Sequence, residues 1–118
     1  SQRAVLVGCN YSNTSNALRG CINDAHRIKD MLVSLYHFPI SNITLLTDDQ
    51  VKTSKTYPSR SNIMHSLNQL INSMQPGDVS FISFSCHGST IKSRASTNTE
   101  FPGIDNVVIP ADVLDQGY

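Results

Sequence analysis

Short unbroken apolar runs alternate along this chain with longer stretches in which apolar residues recur at helical spacing. Val5, Leu6 and Val7 form a run closed by Gly8, which predicts a strand buried on both faces. The polar "SNTSN" that follows predicts a loop. From Leu18 onward the apolar positions are 18, 22, 25, 28, 32 and 35, steps of three or four that line one stripe of a helix of roughly 18 residues. "ITLL", 43–46, predicts a second strand, closed by the polar "TDDQVKTSKTYPS". Ser59 or Ser61 is placed to cap a second helix, in which Ile63, Leu67, Leu70, Ile71 and Met74 keep the same period until Pro76-Gly77 stops it. "VSFISF", 79–84, is β-branched and aromatic and predicts a third strand. The polar stretch after it shows no period, and "NVVIP", 106–110, predicts a fourth strand ended by Pro110.

Strand, helix, strand, helix, strand is the order of βαβ units, so the chain is expected to be α/β, with a mostly parallel sheet and helices on both faces. Strand order 2-1-3-4 puts the functional crevice beyond the carboxyl ends of strands 1 and 3, where "GCNYSNTSNALRGCIND" and "SCHGST" meet.

With 118 residues the chain is one domain, residues 1–118. Nine basic and nine acidic side chains cancel, and no Lys/Arg cluster exceeds a dipeptide, which argues against a nucleic-acid partner. Three irregularly spaced cysteines predict free thiols rather than a disulfide framework. No apolar segment approaches the roughly 18 residues of a membrane span. A soluble cytoplasmic protein with no membrane partner is the expectation.

The chemistry concentrates at "SCHGS". Neighbours on an extended strand project to opposite faces, so the Cys86 thiol and the His87 imidazole point apart, and Cys86 reads as a small buried hydrophobe. His87, followed by Gly88, has two readings: a general base at the edge of the crevice, or a structural histidine bonded to a loop carbonyl. Asp24, early in the first helix, is either an anion favoured by the helix dipole or a partly buried countercharge for a cationic substrate. Asp48 and Asp49 read as a solvated turn or a divalent-cation site. His26, His37 and His65 read as solvated or structural. The cysteines lack zinc spacing, and the single glycine of "GCNYSN" falls short of a phosphate loop, which weakens a nucleotide-binding reading.

Taken together, "RAVLVGCNY", "LRGCINDA", "ITLLTDDQ", "PSRSNIMHSLNQLI", "QPGDVSFISFSCHGS" and "IDNVVIPAD" resemble, in order and spacing, the large-subunit part of a type I metacaspase, a cysteine peptidase of the caspase-like clan. The resemblance implies a caspase-like three-layer sandwich and an endopeptidase that cleaves after Arg or Lys. It makes His87 the catalytic histidine and gives the Gly88 backbone N–H to the oxyanion hole. Asp24 becomes the base of the pocket for the basic substrate side chain, Ser85 lines that pocket, and Asp105 is a ligand of an activating calcium ion. The family's nucleophilic cysteine lies about 50 residues past the histidine. The domain is thus expected to be incomplete at its C-terminus, inert alone, and dependent on a complementary segment or small subunit. Three departures stand out: Cys86 occupies a usual glycine, "STNTEFPG" replaces an acidic stretch, and Asp105 is the one visible member of the family's calcium-binding aspartates. They leave a second reading open, a catalytically silent caspase-like interaction or regulatory domain.

Overall fold

The computed structural model describes residues 1–92 and 104–113. Its elements are β1 (Gln2–Gly8), α1 (Cys21–Ser34), a short 3-10 turn (Ile40–Asn42), β2 (Ile43–Thr47), α2 (Arg60–Ser73), β3 (Val79–Ser85), β4 (Gly88–Lys92) and β5 (Ile104–Val108). β1 lies between β2 and β3, and both pairings are parallel.

Its central place explains the unbroken apolar run. Ala4, Val5, Leu6 and Val7 are all buried, and alternate residues serve opposite faces. Val5 and Val7 pack with Ile63 and Leu70 of α2, whereas Ala4 and Leu6 pack with Leu32 of α1 and Phe38. The sheet thus carries a helix on each face, as the α/β pattern requires. Full burial of a Leu or Val side chain contributes about 1.5–3 kcal/mol, so the two faces of β1 are the main apolar anchor of the fold.

α1 starts later than its periodicity predicts. Leu18 is held in the preceding loop, its N–H donating to the Asn10 carbonyl at 2.6 Å. Gly20, at the N-cap position, offers no side chain, and Asn10 Oδ1 takes its place by accepting from the N–H groups of Cys21 (3.0 Å) and Ile22 (3.2 Å). The helix start is therefore set from the end of β1. Of the two predicted caps α2 uses Ser59, which accepts from the Asn62 N–H at 3.1 Å. Ser59→Ala is expected to cost about 1 kcal/mol, read as a lower urea midpoint at unchanged slope.

The fourth strand corrects the expected order. "NVVIP" does not extend the main sheet; β5 pairs antiparallel with β4 in a separate two-stranded sheet. β4 went unpredicted because Gly88–Lys92 contains one apolar residue, Ile91, and its pairing comes from backbone bonds to a segment near in sequence. Among the described residues β3 therefore pairs on one side only, and Val79, Ile82 and Phe84 are exposed. The replaced acidic stretch, 96–103, lies outside the described residues. No helix among the described residues is long and apolar enough to cross a membrane.

Candidate active site

The carboxyl ends of β1, β2 and β3 converge where a doubly wound sheet places its ligands. Asp48, just past β2, organises the loop after β1. Its Oδ1 accepts the Asn10 N–H at 2.9 Å and its Oδ2 the Tyr11 N–H at 2.7 Å. Both carboxylate oxygens are thus engaged by backbone donors, a structural task that Asp48 performs within the turn at 48–49. Asp49 accepts a hydrogen bond from the Thr47 hydroxyl. The bonds to Asp48 help hold Tyr11 at φ 51°, a left-handed conformation unusual for a bulky side chain, and Asn13 follows at φ 65°.

His87 stands at the exit of β3. Its Nε2 lies 2.6 Å from the Asn16 carbonyl oxygen, and its ring centroid is 4.9 Å from that of Tyr11 with the planes inclined by 34°. A carbonyl only accepts, so Nε2 carries the proton and, in the neutral ring, Nδ1 is the acceptor. The structural reading of His87 is thereby met at Nε2, and among the described residues Nδ1 makes no hydrogen bond. His87 and Gly88 share a cavity of about 930 Å³ with Tyr11, Asn16, Asp48 and Lys52. Ile109 N–H donates to the His87 carbonyl at 3.0 Å, which makes His87 and Ile109 a hydrogen-bonded rung. Ladder alternation then turns the Gly88 N–H to the side away from β5.

Asp24 is not among the lining residues of that cavity, and its side chain is 55% exposed, 4.0 Å from Arg27. This corrects the expectation of a partly buried carboxylate: in the first turn of α1 it is Ala25 that faces the sheet, at 1% exposure. Ser85 is the last residue of β3, in register with Gly8, and its carbonyl accepts the Cys9 N–H. Alternation puts its side chain on the α1 face, the side that also carries Asp24.

The three cysteines are free. Cys86 packs against the core cluster that includes Val5 and Val7, on the α2 face, and is partly buried there rather than fully buried as expected. Burial pushes all three thiols above their ordinary range, most strongly Cys9, where Asp48 adds to the effect. None is a ready thiolate.

Asp105 sits apart, on β5, in a cavity lined by Arg60, Lys92 and apolar side chains. Calcium takes six to eight oxygens, and no group of three or more His, Cys, Asp or Glu side chains suited to a metal occurs among the described residues. Asp105 is the one carboxylate among the described residues that line this cavity.

Sequence reasoning passed over Tyr11, Asn10 and Asn16, and gave Asp48 no structural task. Asn is among the residues that tolerate left-handed backbone, so an Asn-rich loop directly after a buried strand was the available signal.

Comparison with known proteins agrees with this architecture. A crystal structure of a Geobacter sulfurreducens protein superposes with a TM-score of 0.65 over 97% of this chain and 43% of that one, at 18% identity, a likeness of fold. Metacaspase-1 of Saccharomyces cerevisiae is 36% identical over 116 residues, 98% of this chain and 26% of that protein. Metacaspase-7 of Arabidopsis thaliana is 35% identical over 113 residues, 96% of this chain and 27% of that protein. The chain therefore spans about a quarter of the length of these relatives. The family described as "Metacaspase, peptidase C14 domain" matches residues 2–118, and the chain, caspase-like in fold, belongs to the metacaspase family.

Proposed function

We propose that this chain is the large-subunit portion of a cysteine endopeptidase, carrying the proton-transfer histidine and the pocket for an Arg or Lys side chain. The observation that carries the reading is the state of His87: Nε2 is anchored on the Asn16 carbonyl and Nδ1 is left as acceptor at the wall of the strand-end cavity, beside Gly88. In the proposed reaction His87 Nδ1 takes the proton of a cysteine thiol. The thiolate attacks the substrate carbonyl carbon, and the oxyanion is stabilised by the Gly88 N–H. The C–N bond then breaks and the imidazolium returns the proton to the leaving amine, leaving an acyl-enzyme for water to hydrolyse.

We place the thiol on a segment outside these residues, because none of Cys9, Cys21 and Cys86 lines the cavity that holds His87. That complementary segment has a surface to dock on. The edge of β3 that is unpaired among the described residues, with Ile82 and Phe84 exposed, borders a largely apolar cavity of about 670 Å³ between α2 and the β4–β5 pair. Free thiols throughout fit a reducing compartment, and we infer a cytoplasmic location.

The substrate preference rests on Asp24. Its carboxylate faces solvent on the α1 side with only a 4.0 Å pairing to Arg27, so it is accessible to an incoming guanidinium, which would desolvate it on binding. The polypeptide with its downstream segment is expected to cleave Arg- and Lys-terminated fluorogenic peptides and to spare Asp-terminated ones. Asp24→Ala is expected to lower kcat/KM for the Arg peptide by about 10- to 100-fold, the loss of a hydrogen bond to a charged group. An unchanged preference for Arg over neutral residues would move the pocket elsewhere. Binding of the peptide without cleavage would favour the silent interaction domain.

A further inference from the structure

Where β4 and β5 leave their ladder, one hydrogen bond is missing and a side chain stands in its place. The register pairs Gly88 with Val108, so His87 faces Ile109. Such a rung exchanges two backbone bonds. One is present, from the Ile109 N–H to the His87 carbonyl at 3.0 Å. For the other, the His87 N–H donates to the Tyr11 hydroxyl oxygen at 3.1 Å, and the hydroxyl donates in turn to the Ile109 carbonyl. The phenol is inserted into the rung as a bound water would be, and it belongs to a different segment, the loop after β1.

The same residue touches the imidazole. The Tyr11 ring lies 4.9 Å from the His87 ring, centroid to centroid, on a side chain that is 8% exposed. Tyr11 is itself gripped from behind, through its N–H by Asp48 and through its carbonyl by the Thr14 hydroxyl at 2.6 Å. Burial keeps the phenol far above its ordinary range, so it stays a neutral donor and acceptor at any working pH.

We propose that Tyr11 is the positioning residue of the His87 site: its hydroxyl fixes the backbone at His87 and its ring seats the imidazole so that Nε2 meets the Asn16 carbonyl. Asp48 supports it by holding the left-handed backbone that aims the phenol. The inference rests on the proposed role of His87 and adds what keeps that ring in one tautomer and one place. Misplacement of a reacting group by about 1 Å is enough to cost on the order of a hundredfold in rate.

The test uses the polypeptide with its downstream segment and compares the parent protein, Tyr11→Phe and Asp48→Asn. Tyr11→Phe keeps the ring and removes the bridging oxygen; Asp48→Asn removes one of two backbone acceptors and leaves the phenol intact. Both are expected to lower kcat about 10- to 100-fold with KM within about threefold. Nitrogen NMR of the neutral imidazole is expected to show the Nε2–H form in the parent and a mixture of tautomers in both variants. A purely structural tyrosine would lower melting temperature and leave the kcat and tautomer of the folded fraction unchanged. Should Tyr11→Phe fail to fold, Asp48→Asn decides alone. Parental kcat and tautomer in the folded variants, with turnover abolished by His87→Ala, would overturn the inference and leave the proposed function standing. Turnover retained by His87→Ala would remove that function instead, and the tautomer measurement then decides for or against Tyr11 as the residue that seats the ring.

Discussion

Replacing His87 by alanine is expected to reduce cleavage of an Arg-terminated peptide by at least about a thousandfold in kcat/KM, near the upper part of what a positioned acid–base group contributes. The expectation follows from the absence of a substitute. Among the residues lining the strand-end cavity His87 is the lone histidine, and the two charged neighbours there, Asp48 and Lys52, differ from it in kind. Asp48 is occupied by two backbone N–H groups. Lys52, as an ammonium, has no lone pair to accept a proton. The measurement is steady-state turnover of the parent polypeptide and His87→Ala with the downstream segment present. Alkylation of the nucleophilic cysteine gives a second readout: without the imidazole the thiol stays protonated more of the time, so its reaction with iodoacetamide near neutral pH is expected to slow. Activity at the parental level in the variant would end the assignment of His87 as base.

Much of the fold was legible because its centre is simple. A run such as Val5-Leu6-Val7 is apolar on consecutive residues only when both faces are covered, and β1 has α1 on one face and α2 on the other. A serine cap at 59 or 61 was legible because a hydroxyl ahead of a helical period has an acceptor task, and the structure uses Ser59. What escaped depended on partners outside the local pattern. α1 begins at Cys21 because Asn10, eleven residues upstream, supplies the missing cap. Periodicity alone extends the helix back to Leu18. β4 has one apolar residue and is a strand by virtue of its pairing with β5, so no local signal marks it.

The site divides in the same way. His87 and Gly88 could be picked out because a strand's carboxyl end is a fixed place in a parallel sheet. Asp24 was placed on the correct helix turn and given the wrong environment. Position 24 lies off the stripe that runs through Ile22, Ala25, Ile28 and Leu32, and the structure leaves it exposed. Asp48 and Tyr11 had no periodicity to report them. Their roles come from loop backbone groups that need an acceptor and from one ladder bond that needs a bridge.

Gly8 ties this site to the core, and its replacement is expected to produce the largest loss of stability of any single substitution considered. A methyl group at that position would lie 2.7 Å from the Cys21 carbonyl oxygen, 3.0 Å from Ala25 Cβ and 3.1 Å from Ile22 Cα. Two of these three atoms are backbone of the first turn of α1, which has no side-chain rotation with which to yield. Nor is the turn free to retreat, because its N–H groups at Cys21 and Ile22 are held by Asn10, two residues beyond Gly8 in the loop after β1. Relief therefore requires α1 to lift from β1, opening the contact of Ala25 with the sheet and moving Asp24. Overpacking of this kind costs about 1–3 kcal/mol and more where backbone must shift. Gly8→Ala is expected to fall at about 3 kcal/mol and Gly8→Val beyond it. A urea midpoint lowered at constant slope checks the first value. A parental midpoint in Gly8→Ala would mean that α1 does not approach β1 as closely as described. Because the same displacement carries Asp24 and the Asn10 cap with it, the folded fraction of Gly8→Ala is expected to discriminate less well between Arg and neutral peptides. That loss of selectivity sets a displaced pocket apart from simple instability, which would reduce the rates on all peptides by one common factor.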